Sequence, residues 1–139
     1  MRTWNFYTAM ELHPEGWVRR QLEIQAEGLS GNLDKVWRDV RDSAWIGGTA
    51  EGWERVPYWL DGFIPLAYLL DNKDMIARAQ TYVDAILAQQ KPSGWICPCD
   101  EDKIPGDTTP GRYSSSPRCW WSTMNARGTS VFPRPCTKF

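Results

Sequence analysis

The sequence predicts an all-α chain, and three observations carry that prediction. Apolar residues recur at i, i+3, i+4 and i+7 in several separate segments, the spacing of one face of an α-helix. Gly and Pro fall between those segments, where they end helices. No stretch convincingly alternates apolar and polar residues as a half-buried strand does.

The first helix is expected over residues 14–29, where Trp17, Val18, Leu22, Ala26 and Leu29 recur near helical spacing. Pro14 suits its opening turn, because an N–H there has no helical partner to lose. Gly28 and Gly31 punctuate its end. The second helix is expected over 32–42, with Leu33, Val36, Trp37 and Val40 on one face and Asp34, Lys35, Arg38, Asp39 and Arg41 around them. The run S-A-W-I-G-G-T-A-E-G-W-E then reads as a loop, and Thr49 or Glu51 can cap the helix after it.

The third helix begins near Trp53 and is apolar nearly all round from Tyr58 to Leu70, so burial on most sides is expected. Pro57 falls in its first turn, whereas Pro65 is expected to kink or split it. A final helix, capped by Asp74, runs to about Gln90 with Ile76, Ala79, Val83, Ile86 and Leu87 on one face. Pro92 and Gly94 stop it. Residues 1–13 read as an N-terminal extension, 14–106 as one helical domain and 107–139 as an irregular tail rich in Ser, Thr, Pro and Arg.

Composition narrows the function classes. The 139 residues are sized for one domain, and a formal charge of −1 leaves no basic footprint for nucleic acid or an anionic membrane. The N-terminal segment lacks a signal-peptide core, since Asn5, Thr8 and Glu11 interrupt it, and the apolar run 56–70 is too short to span a bilayer. A soluble, cytoplasmic chain is therefore expected. Cys97, Cys99, Cys119 and Cys136 then stay reduced, and the C-P-C spacing of the first two is not that of a zinc knuckle, so no metal is assigned. His13 is the single histidine, which leaves no Ser-His-Asp or Cys-His arrangement.

The segments Q-L-E-I-Q-A-E-G-L-S-G, D-S-A-W-I-G-G, E-G-W-E-R-V-P-Y-W-L-D-G-F-I-P-L-A-Y-L-L-D and Q-Q-K-P-S-G-W-I-C-P together resemble the N-terminal part of glycoside hydrolase family 127, the β-L-arabinofuranosidase-like proteins. The resemblance runs from about Gly16 to Asp102. It implies an (α/α)6 barrel of the six-hairpin glycosidase type, of which residues 14–106 would form only the first hairpins. An incomplete arc exposes apolar helix faces, so self-association is expected. In the family, a zinc-held Cys thiolate attacks the sugar and a Glu serves as acid/base. Those residues lie downstream of the matched segment, so no position here is assigned to catalysis, and zinc belongs to an intact relative rather than to this chain.

What the resemblance carries over is a substrate-facing group: Trp45, Glu51, Trp53, Glu54, Arg55, Tyr58 and Trp59. Rings stack on the apolar faces of sugars, and Glu and Arg hydrogen-bond hydroxyls. The same residues also have a structural reading, with the Trp rings in the core and Glu54 and Arg55 paired or capping. Glu51 and Glu54 lie one turn apart if helical, and a pair on one turn cannot flank a glycosidic bond.

The expected function is that of a fragment of a glycoside hydrolase acting on arabinofuranosides or related sugars, inactive alone. The alternative is a non-catalytic carbohydrate-binding or helical interaction module. The tail has its own expectation. Shifting the frame by one nucleotide from Asp107 allows codons that spell Y-D-T-W-A-V-F-L-L-P-K-V-L-V-V-Y-H-E, an amphipathic continuation, so 107–139 are expected to be out of frame.

Overall fold

The computed structural model describes Tyr7 and residues 9–50, 52, 54–92 and 95–98. These residues are mostly helical, in the order α1 (Gly16–Glu27), α2 (Leu29–Val36), α3 (Arg38–Arg41), a 3-10 turn (Ala44–Ile46), α4 (Arg55–Leu69) and α5 (Lys73–Ala88). No strand occurs among them, and a single parallel bridge joins Ser43 to Ala50. The all-α expectation is met. Among the described residues, no helix is long and apolar enough to cross a membrane. The irregular tail at 107–139 lies outside the described residues, as does the frame expectation attached to it.

The core is built on the hairpin of α4 and α5, joined by a short turn through Asp71 and Asn72. Val56, Leu60, Phe63 and Ala67 form one buried ridge of α4, and Met75, Ala79, Tyr82 and Ile86 form the matching ridge of α5. Asp71 takes the left-handed conformation with φ 50°, which reverses the chain. Asn72, rather than Asp74, caps α5: its side chain accepts from the Met75 N–H at 3.1 Å. Asp74 instead lies in the first turn, where its charge suits the positive end of the helix and its carboxylate accepts from Arg78.

Four further details differ from the sequence expectation. Pro65 neither splits α4 nor ends it, because its neighbours Ile64, Leu66 and Ala67 are buried and their packing outweighs the lost backbone bond. Gly31 is not a stop. It sits inside α2, where a Cβ would fall 1.9 Å from the Ala26 carbonyl oxygen, so only glycine permits α1 and α2 to approach so closely. The stretch 32–42 is not one helix but breaks at Trp37, whose backbone is extended. That break buries Val40 completely while leaving Val36 in solvent.

The fourth difference concerns α1, which buries no residue. Trp17 is 78% exposed, and Val18 and Leu29 are exposed with it. Leu22 and Ala26 pack half-buried against the core, and the end of the helix is tied down as well: the Asn32 amide donates to the carbonyls of Glu27 and Gly28 at 3.0 and 2.9 Å, satisfying acceptors that a helix terminus leaves open.

A half-buried ion pair crosses the fold. Arg78 of α5 donates from Nη1 to both carboxylate oxygens of Asp34 of α2, at 2.7 and 2.8 Å, and from Nη2 to the Gly31 carbonyl at 2.9 Å. Its guanidinium also lies 5.0 Å from the centre of the Phe63 ring. These charge-assisted bonds fix α2 against the α4–α5 hairpin.

Candidate functional site

The residues nominated from the sequence divide into three groups. Trp45 and Trp59 are core. Trp45 is 2% exposed inside the loop between α3 and α4, where the loop is closed by the Ala50 N–H donating to the Asp42 carbonyl and by Gln89 donating to the Trp45 carbonyl at 2.7 Å. Trp59 is 8% exposed, stacks on Phe63 with ring centres 4.4 Å apart, meets Tyr82 edge-on and donates its indole N–H to the Ser30 carbonyl. Both side chains are buried in the core, as the structural reading of them expects.

Glu51 and Trp53 lie outside the described residues. Glu54, Arg55 and Tyr58 are at the head of α4 and reach the surface. Glu54 occupies the N-cap position without a side-chain cap bond, its carbonyl accepting from the Tyr58 N–H at 3.0 Å. Arg55 does not pair with its neighbour Glu54. It turns instead to Asp39, 3.4 Å from Nε to Oδ2, and its guanidinium covers the Trp37 ring at 4.6 Å.

One turn on from Arg55, Tyr58 is 50% exposed and lines a small groove between α4 and the α1–α2 junction. The groove encloses about 250 Å³. Trp59, Phe63 and Leu66 line it together with Tyr58, Gln25 and Ser30. The lining combines apolar side chains with neutral hydrogen-bonding residues and carries no formal charge.

Trp37, Asp39, Gln25 and Ser30 were not legible as site residues. Trp37 carried helical spacing with Leu33 and Val40, and nothing in the local sequence marks the backbone break that delivers it to Arg55. Gln25 and Ser30 reach the groove only because Gly31 lets α2 close on α1.

The described residues bring no group of three or more His, Cys, Asp or Glu side chains together in a metal-binding arrangement. Cys97 is buried, and Cys99, Cys119 and Cys136 lie outside the described residues. Comparison with family models, with curated proteins and with solved structures returned no match to this chain.

Proposed function

We propose that this chain is the sugar-contacting front of an (α/α)6 glycoside hydrolase of the β-L-arabinofuranosidase-like kind, binding carbohydrate without carrying out chemistry on its own. The reading rests on the linked sequence motifs, and the single observation that supports it best is the exposed head of α4. There Arg55, stacked on Trp37 and paired with Asp39, stands one turn from Tyr58 at the rim of an apolar groove. A sugar ring seated on Tyr58 would turn its C–H face to the groove floor and its hydroxyls to Gln25, Ser30 and Arg55. Zinc-thiolate catalysis would need residues from the rest of the ring.

The test is a titration with arabinofuranosides and arabinan followed by tryptophan fluorescence, to which Trp59 beneath the groove is well placed to respond. Saturable change is expected, weakened about tenfold by Tyr58→Ala, the scale for losing one stacking ring and its hydroxyl. An unchanged titration in Tyr58→Ala defeats the assignment of this site, and turnover of an aryl arabinofuranoside by the chain defeats the non-catalytic reading.

A second reading, a helical interaction module, is favoured by one observation. α1 buries no residue fully and presents Trp17, Val18 and Ile24 to solvent beside Leu29 of α2, which is the kind of apolar surface that partner helices or a second copy cover.

A further inference from the structure

A second cavity lies away from the groove, between the segment leading into α1 and the turn that joins α4 to α5. It encloses about 450 Å³, within the range of small-molecule sites. His13 and Arg19 come to it from the N-terminal side, Tyr68, Asp71 and Lys73 from the α4–α5 turn, and Met10 and Ile76 close it with apolar surface.

Its polar lining is unbalanced towards donors. Arg19 spends Nε on Glu23, one turn along α1, at 3.0 Å, which leaves both terminal guanidinium nitrogens to donate. Lys73 spends one N–H on the Asp71 carboxylate, and that carboxylate, the one acidic group of the lining, is thereby engaged. The imidazole of His13 and the Tyr68 hydroxyl add further donating capacity, while Leu69, Leu70 and Ile76 offer apolar contact beside them.

We propose that this cavity binds a small organic carboxylate, its oxygens held between Arg19, His13 and Lys73 and its apolar body resting on Met10, Leu70 and Ile76. The arrangement pairs charge-assisted hydrogen bonds at one end with an apolar pocket at the other. Charge alone would not select such a ligand, because Glu23 and Asp71 offset much of the positive charge. Both ends are needed, and an inorganic anion or a neutral isostere satisfies only one. The cavity does not include Arg55, Tyr58 or the groove, so this site stands or falls separately from the sugar-contacting reading.

The probe is phenylacetate, with phenylacetamide as the neutral isostere and acetate as the anion without an apolar body, each titrated into the full-length, ¹⁵N-labelled chain. Saturable shifts of the Arg19 side-chain and Lys73 backbone resonances are expected with phenylacetate, and much weaker ones with the two controls. Arg19→Gln and His13→Gln are exposed positions whose substitution leaves the core untouched, and Arg19→Gln is expected to weaken phenylacetate about tenfold, the scale of one charge-assisted hydrogen bond. Equal response to phenylacetamide, equal response to acetate, or unchanged affinity in Arg19→Gln overturns the proposal, as does the absence of any saturable shift in a wild-type chain with a well-dispersed spectrum.

Discussion

Arg78 shows how one side chain can serve several contacts. It reaches Asp34, Asp74 and the Gly31 carbonyl while covering Phe63, so removing it strands a carboxylate that is mostly shielded from water. Arg78→Met is expected to cost about 3 kcal/mol in urea denaturation, whereas Arg78→Met with Asp34→Leu recovers most of that loss, because an apolar pair needs no desolvation of charge. Equal destabilisation by the single and double variants would mean that the contact surface, not the buried charge, sets the cost. Tyr82 makes a second prediction. Burial, reinforced by the carboxylates of Asp34 and Asp42, pushes its phenol up to about 12, and its hydroxyl donates to the Val40 carbonyl at 3.1 Å. The folded state thus keeps a proton that the unfolded chain releases near pH 10, so this contribution is intact below pH 10 and is lost as the pH climbs towards 12. Alkaline titration of stability should fall across that window, and Tyr82→Phe should flatten the fall.

At the scale of the element, helices differ in what holds them. α4 and α5 share a continuous buried seam, whereas α1 contributes no fully buried side chain and is held by the half-buried Leu22 and Ala26 and by the Asn32 amide at its end. Hydrogen exchange should therefore be slowest in α4 and α5 and fastest in α1. Protection of α1 equal to that of α4 would show that something covers Trp17 and Ile24. These differences also explain what the sequence disclosed. The apolar richness of α4 and the period of α5 are consequences of burial, so both helices were legible. The break at Trp37, the passage of α4 through Pro65 and the closeness of α1 and α2 at Gly31 depend on neighbours distant in sequence, and local pattern does not encode them. The same holds for the candidate site: Tyr58 and Arg55 were nominated through the resemblance at the α4 head, but Trp37 and Asp39 join Arg55 only through the break, and Trp45 and Trp59 are drawn into the core by partners such as Gln89, Phe63 and Tyr82.

At the scale of the molecule, the described residues are lopsided: a packed hairpin on one side and a half-covered helix on the other, with the α4 head and its groove where the two meet. An arc of a larger helical ring and a free-standing interaction module would each produce that asymmetry, and they differ in which surface meets a ligand. The most direct test is to map ¹H–¹⁵N shift changes on the labelled chain as arabinan is added. Sugar contact at the head of α4 predicts saturable changes concentrated at Arg55, Tyr58 and the Trp37 indole, with Gln25 and Ser30 beside them. Changes confined to Trp17, Val18 and Ile24 of α1, or none at all in a folded chain, would contradict it.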